Sequence, residues 1–264
     1  MHFLLSSDLL SKNRSFIRLR QIMLFLLCAF CISEARAQSK EVTPSQQIWT
    51  GYFNQSRFSK RWGMWVDLQL RTQDDFVKDL SQGLARAGLT YYISNDVKAT
   101  VGYAFINHFP ADGHKDVSQP EHRPWQQIQW HTKYSKTRTM QWIRLEERFR
   151  RNILNDSTLG KGSAFNFRLR YNLLFQVPLT NKPVLDKAFS FIANDELHIN
   201  FGKKILYNYF DQNRFFVGLA YHVNPHDNIQ FGYSNVFQQL ASGDKFRSLH
   251  IARIFFFHNL NFQK

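Results

Sequence analysis

Residues 213–237, NRFFVGLAYHVNPHDNIQFGYSNVF, decide the fold, because apolar side chains recur at every second position on both sides of one turn. The shared apolar face carries aromatic and aliphatic residues: Phe215, Val217, Leu219, Tyr221, Val223, Ile229, Phe231, Tyr233 and Phe237. The opposite face is mostly small or polar. Residues 224–228 (NPHDN) have turn chemistry, since proline fixes φ while Asn and Asp bond to the local backbone. The stretch predicts a hairpin of two β-strands with one side facing an apolar environment.

The same alternation recurs in segments 62–71, 85–93, 97–105, 127–134, 139–151 and 164–177. Aromatic residues form 16% of the chain although the mean hydropathy is only −0.40, which is typical of β-barrels, where every second residue points inward. The sequence therefore predicts an all-β fold, a single transmembrane antiparallel up-and-down β-barrel of about 10–12 strands. A soluble periplasmic β-sandwich that binds a ligand is an alternative, because its strands also alternate.

The N-terminal segment has the order of a secretory signal. Basic residues precede an apolar run at 22–32, and Ala35-x-Ala37 follows as a cleavage site. We therefore predict a cleaved signal peptide at 1–37 and an outer-membrane barrel at 38–264. Cys28 and Cys31 both lie in the leader, so the mature chain is expected to lack thiol chemistry. The formal charge of +14 suggests nucleic-acid binding, but export from the cytoplasm argues against that partner.

Connections between the predicted strands alternate in length. Short turns are expected at 59–61, 94–96, 135–137 and 224–228, and longer polar loops at 72–82, 109–124, 152–162, 202–212 and 238–245. Segment 178–187, with two prolines, is intermediate where a short turn is due. Barrels of the outer membrane place short turns in the periplasm and long loops outside.

The strand count conflicts with this barrel. If the last strand ends in the periplasm, an odd number of strands also places the N-terminus on the wrong side of the membrane. Counting from residue 46 to residue 262 gives eleven strands, whereas single-chain bacterial barrels have an even number. We therefore expect ten or twelve strands, with one strand missed or with residues 39–45 passing through or beside the barrel. The last strand, 247–262, has the aromatic ending that barrel-assembly machinery recognises, although Gln263 and Lys264 follow it.

Several short motifs, in this order, resemble a family of uncharacterised Gram-negative outer-membrane proteins, domain of unknown function 2490. They are Gln47-x-Trp49, Leu145-Glu146-x-Arg148, Arg168-x-Arg170-Tyr171, Asn194-Asp195-Glu196, Asp211-Gln212-Asn213-Arg214, Gly218-Leu219-Ala220-Tyr221 and Phe231-Gly232-Tyr233. The resemblance covers nearly the whole mature chain. It implies a barrel and a location outside the cytoplasm, and it implies no activity.

Charged residues on the predicted inner face form the candidate functional site: Asp67, Arg71, Arg86, Arg144, Glu146, Arg148, Arg168, Arg170, Glu196, His198 and Arg214. Buried charges must pair, so we interpret this set as a structural network of ion pairs in a filled lumen. An anion-selective constriction or a site for an anionic ligand is the functional alternative. Arg214 is predicted to pair with Glu146 or Glu196.

The sequence predicts a non-enzymatic protein without cofactor or metal, and leaves a lipid-acting hydrolase as the alternative. Ser248 and His250 would share one face of the last strand, near Ser234, His222 and Asn235. The loop 107–116 is dense in His and Asp, but a flexible surface loop offers little fixed metal geometry. Outer-membrane lipid and lipopolysaccharide are the expected partners. Of two roles open to Lys203, Lys204, Tyr207 and Tyr209, contact with anionic lipopolysaccharide or an interfacial belt of aromatic and basic residues, we favour the belt.

Overall fold

The protein is described here by a computed structural model that covers residues 40–73, 75–110, 116–181 and 185–263. The strands are β1 (Glu41–Arg57), β2 (Trp62–Gln73), β3 (Asp79–Tyr92), β4 (Val97–His108), β5 (Gln119–Lys133), β6 (Arg138–Asn155), β7 (Thr158–Pro178), β8 (Ala188–Phe201), β9 (Phe210–His222), β10 (Asp227–Gln239) and β11 (Lys245–Asn261). The predicted signal peptide lies outside the described residues. Within them, no helix is long and apolar enough to cross a membrane.

The strands close into one barrel in which each strand pairs with its sequence neighbours and β1 pairs with β11. The closed barrel confirms the predicted all-β fold. It differs from the alternative of a soluble β-sandwich, which would have two separate sheets. The expectation of ten or twelve strands is wrong, because the described barrel has eleven. An odd ring cannot be antiparallel throughout, and the single parallel pair lies between β1 and β11, from Glu41↔Lys245 to Arg57↔Asn261.

The parallel pair also explains the side on which the first strand starts. β1 and β11 both begin at the rim that carries the β2–β3, β4–β5, β8–β9 and β10–β11 connections, and both end at the rim of the short turns. Residues 41–45 therefore belong to the wall of the barrel and do not run through its interior. Lys245 Nζ and Glu41 Oε2 are 3.2 Å apart at this exposed start.

The short turns lie where the alternation predicts them, but two of the predicted long loops are wrong. β5 begins at Gln119, so residues 119–124 are strand and not loop. β6 runs to Asn155 and β7 starts at Thr158, so most of 152–162 belongs to a strand hairpin that extends past the neighbouring strands. Pro120 and Pro124 explain the first error, because proline is normally kept out of central strands.

The two faces of the wall follow the predicted alternation. In the hairpin of β9 and β10, Phe215, Phe231 and Tyr233 are exposed on the outside, whereas Phe216, Ser234 and Val236 are buried inside. Trp125 also lies inside, against Gly88 and Gly102 of the two preceding strands. A Cβ at Gly88 would stand 2.9 Å from Trp125 Cζ2, so this glycine gives the indole its space.

The parallel seam can be tested by cross-linking, because both cysteines of the sequence, Cys28 and Cys31, lie within residues 1–37, the predicted signal peptide. Thr50 and Ile254 are direct partners across the seam, and neighbouring strands lie about 4.8 Å apart, within the Cα range of a disulfide. We expect the Thr50→Cys, Ile254→Cys protein, made from residue 38 onward, to cross-link almost completely on oxidation. Non-reducing electrophoresis measures this.

The matched control moves one cysteine by two residues. Phe256 pairs with Tyr52, so Thr50→Cys combined with Phe256→Cys places the two Cα atoms about 8 Å apart, beyond disulfide range. Stronger cross-linking of this control than of the matched pair would contradict the parallel register.

Candidate functional site

The structure places all eleven charged residues of the predicted inner face inside the barrel, where each is buried or half-buried. They come from neighbouring strands, because alternate residues of β2, β3 and β6–β9 point into the same narrow space. Asp67, His198 and Glu146 are almost completely buried, at 0%, 0% and 2% exposure. Charges enclosed to this degree require compensating partners.

Glu146 on β6 is the centre of the largest group of ion pairs. Its carboxylate accepts hydrogen bonds from Arg168 Nη2 at 2.6 Å and from Arg170 Nη1 at 2.5 Å. Arg168 also donates to Asp211 Oδ2 at 2.9 Å, and Arg170 pairs with Glu196. Each of these guanidinium groups therefore bridges two carboxylates, which holds strands β6 to β9 together from the inside.

A second centre, Glu121 on β5, was missed by the sequence analysis. Its carboxylate lies 2.5 Å from Arg123 Nε, 2.7 Å from Arg148 Nε and 2.9 Å from Arg150 Nε. His108 Nε2 is 2.8 Å from the same carboxylate. The alternation of Glu121, Arg123 and Trp125 indicates a strand, but Glu121 and Arg123 lie in the predicted loop at 109–124.

Asp67 forms a smaller, separate cluster on β2. Its carboxylate lies 2.8 Å from Arg86 Nε and accepts hydrogen bonds from Trp65 Nε1 at 3.0 Å and Gln69 Nε2 at 3.1 Å. Asp67 is therefore fully partnered by side chains of β2 and β3.

Four other inward arginines have no carboxylate at hydrogen-bond distance among the described residues: Arg71, Arg144, Arg214 and Arg253. Of these, Arg144 is within ion-pair distance of Glu146, with Nη1 3.9 Å from Oε1. The predicted ion pair of Arg214 with Glu146 or Glu196 is wrong. The Arg214 guanidinium instead lies 5.2 Å from the centre of the Trp49 ring, although Glu196 is its neighbour in the ladder. Glu196 already pairs with Arg170 and lies 3.1 Å from His198 Nε2, which explains why it forms no ion pair with Arg214.

Two cavities of unequal size lie in the part of the lumen that the structure describes. The larger, about 420 Å³, extends from the middle of the barrel to residues beside the short turns. The smaller, about 90 Å³, lies toward the opposite rim among Arg123, Arg148, Arg168 and Asp211. Both cavities are lined by Trp49, Arg71, Arg86, Arg170 and Arg214, which form a positively charged constriction between them.

The side chains proposed for a hydrolase do not form a catalytic arrangement. Ser248 Oγ accepts a hydrogen bond from Asn235 Nδ2 at 3.1 Å, and His250 Nδ1 bonds to the Tyr233 hydroxyl at 2.7 Å, all on the outer face. Ser234 and His222 point to the inside instead, where Ser234 Oγ donates to Phe215 O at 2.7 Å. His222 Nε2 lies 2.9 Å from Ser190 Oγ.

The loop at 107–116, which is dense in His and Asp, is only partly described, since residues 111–115 lie outside the described residues. His108 belongs to β4 and is engaged by Glu121, so it is not held for a metal. Among the described residues, no group of three or more His, Cys, Asp or Glu side chains could hold a metal ion. In the β8–β9 connection, Tyr207 and Tyr209 are 65% and 56% exposed.

Comparisons with known proteins give a family and one distant structure. The family described as "Protein of unknown function (DUF2490)" matches residues 46–247. No curated protein matches the chain. A solved structure described as "NanC porin structure in rhombohedral crystal form" is 12% identical, with a TM-score of 0.41, over 72% of this chain and 87% of that chain.

Proposed function

The chain belongs to the DUF2490 family, as its motifs predicted, and we propose that it is an outer-membrane β-barrel whose narrow, arginine-rich lumen admits or holds small anions. In this proposal the chain is exported by the signal peptide at 1–37 and inserted by barrel-assembly machinery. Its role is that of a binding or transport barrel and not of an enzyme.

The outer surface supports the location. Large apolar side chains stand exposed on strands all around the barrel, among them Leu68, Leu89, Val101, Ile128, Ile143, Tyr171, Phe191, Phe215, Phe231 and Ile254. Soluble monomers rarely expose a continuous apolar surface of this size, because water contact with it is unfavourable. A bilayer removes this cost, and a closed barrel leaves no strand edge unpaired within it.

The excess of positive charge in the lumen is the observation that carries the proposed role. The middle of the described barrel contains ten inward arginines and five inward carboxylates: Arg71, Arg86, Arg123, Arg144, Arg148, Arg150, Arg168, Arg170, Arg214 and Arg253, against Asp67, Glu121, Glu146, Glu196 and Asp211. A lumen filled only with neutralising ion pairs would contain equal numbers of arginines and carboxylates. The surplus makes the lumen attractive to anions and repulsive to cations.

The hydrolase alternative lacks support from the geometry, since Ser248 is bonded by Asn235 and His250 by Tyr233. Lipid and lipopolysaccharide remain the proposed surroundings of the outer face. Tyr207 and Tyr209, with Lys203 and Lys204 in the same connection, would meet anionic headgroups at the outer rim.

Planar bilayers test the proposed role. In a salt gradient, we expect the purified protein to give a small current whose reversal potential indicates anion selectivity, because the constriction between the cavities is positively charged. Arg71→Gln and Arg214→Gln should each move the reversal potential toward zero, since neither arginine neutralises a lumen carboxylate directly. Lys133→Gln, at an exposed position beside a short turn, should leave it unchanged.

A cation-selective current would contradict the proposal. So would a barrel that binds no small anion, carries no current as wild type and is not opened by any arginine or glutamate substitution in the lumen.

A further inference from the structure

The larger cavity has two chemically different sides. One side is an aromatic wall from β1, β2 and β11, in which Phe53 contacts Phe257, Phe255 and Trp65 with ring centres 4.6 Å, 4.9 Å and 5.8 Å apart. The other side is polar, with Gln127, Gln129, Asn172 and Gln176 from β5 and β7. A space of about 420 Å³ with apolar and polar walls has the size and character of a small-molecule site.

The four arginines without a carboxylate at hydrogen-bond distance, Arg71, Arg144, Arg214 and Arg253, all line this cavity. Aromatic rings cover the flat faces of their guanidinium groups. Arg71 lies 3.8 Å from the centre of the Trp49 ring, Arg253 lies 3.2 Å from that of Phe216, and Arg144 lies 4.3 Å from that of Trp125. A ring over the flat face leaves the N–H groups at the edge of a guanidinium clear of the ring. Part of this edge is used within the protein, since Arg71 Nη1 and Nη2 donate to Gln82 and Gln69, and Arg144 Nε and Nη2 donate to Gln127.

Several of those edge donors find no acceptor in the described protein. They are Arg71 Nε, Arg144 Nη1, Arg214 Nε and Arg253 Nε, all buried. Arg71 and Arg144 are only 6% and 4% exposed. The nearest carboxylate to Arg144 Nη1 is Glu146, at 3.9 Å, and Glu146 is already bonded to Arg168 and Arg170. Buried charged donors without acceptors are costly unless an anion or water meets them.

We propose that this cavity binds a small organic carboxylate with a flat, apolar body. The carboxylate would accept hydrogen bonds from the free arginine edges, and the body would pack against the Phe53 wall. Lys98 and Arg138 line the end of the cavity near the short turns and would attract the anion toward it. This inference rests on the proposed function, because it assigns a ligand class to the same lumen.

Equilibrium dialysis with benzoate tests the site on the folded full-length barrel in nonionic detergent, against a compartment of empty micelles. We expect saturable binding of benzoate, weaker binding of acetate, which lacks the ring, and weaker binding of benzamide, which lacks the charge. Arg71→Gln and Arg253→Gln should each weaken benzoate binding about tenfold or more, the usual size for loss of a charge-assisted hydrogen bond. Phe53→Leu should weaken benzoate more than acetate.

Arg150→Gln is the matched control, because Arg150 pairs with Glu121 and lines only the smaller cavity. It should bind benzoate as the wild type does. Heat-modifiable mobility verifies folding of each variant, and Arg214→Gln replaces either arginine variant that fails to fold. Benzoate binding no tighter than benzamide binding, or equal losses in Arg253→Gln and Arg150→Gln, would overturn the proposal. The bilayer measurement with chloride is independent of this result, so the two proposals can fail separately.

Discussion

Replacing Glu146 with glutamine is expected to lower the free energy of unfolding by about 3–5 kcal/mol, the usual cost of removing one partner from a buried ion pair. Glu146 is 2% exposed and accepts hydrogen bonds from Arg168 at 2.6 Å and Arg170 at 2.5 Å. Glutamine keeps the shape but removes the charge, and its amide group would point N–H donors at guanidinium donors. Arg168 and Arg170 would then be held by Asp211 and Glu196 alone.

The adjacent residue provides the control. Glu147 points outward and its carboxylate accepts a hydrogen bond from Gln126 Nε2 at 3.4 Å, so Glu147→Gln removes a charge from the outer wall and should not lower the free energy of unfolding. Urea titration of the reconstituted barrel, followed by tryptophan fluorescence, measures both variants. Equal stability of Glu146→Gln and Glu147→Gln would mean that the central carboxylate does not hold the strands together.

Replacing Leu68 with arginine is expected to destabilise the folded barrel in a bilayer by about 2–4 kcal/mol, because the charge would face hydrocarbon. Leu68 lies near the middle of β2, is 51% exposed on the outer face, and pairs across the ladders with Tyr52 and Ala85. In a soluble protein the same substitution at such an exposed position would be close to neutral. The effect therefore reports whether the outer face meets lipid.

A substitution to arginine near the rim of the barrel is the control for depth in the bilayer. Tyr134 is 63% exposed in the short turn between β5 and β6, where Tyr134→Arg should cost about 0–1 kcal/mol. Folding into vesicles of defined lipid, titrated with urea, compares the two variants. A Leu68→Arg protein as stable as Tyr134→Arg would argue against a membrane-facing wall.

Local alternation made the faces of the wall predictable from the sequence. Side chains of a strand change sides at every residue, so Arg168 and Arg170 could be placed on one face and Leu169 and Tyr171 on the other without any long-range information. The eleven predicted inward residues depended on this property alone. The hairpin at residues 213–237, with its turn, was predictable for the same reason.

Features that depend on distant contacts were not predictable. The parallel pairing of β1 with β11 joins residues about 200 positions apart, and no local pattern indicates it. Glu121 and Arg123 were hidden by Pro120 and Pro124. The ladder of β5 to β6 begins at Glu121, after Pro120, and it is interrupted between His122 and Trp125, where Pro124 lies. The sequence could not show which arginine pairs with Glu196, because that depends on side-chain positions in space. In the structure, Arg170 forms this ion pair and Arg214 does not.

Membrane fractionation combined with heat-modifiable electrophoretic mobility tests the central claim, that this chain is a closed barrel embedded in the outer membrane. We expect a mature protein starting near Gln38, found in the outer-membrane fraction, whose unboiled form migrates differently from its boiled form. A protein found only in the soluble periplasm, with the same mobility before and after boiling, would contradict it.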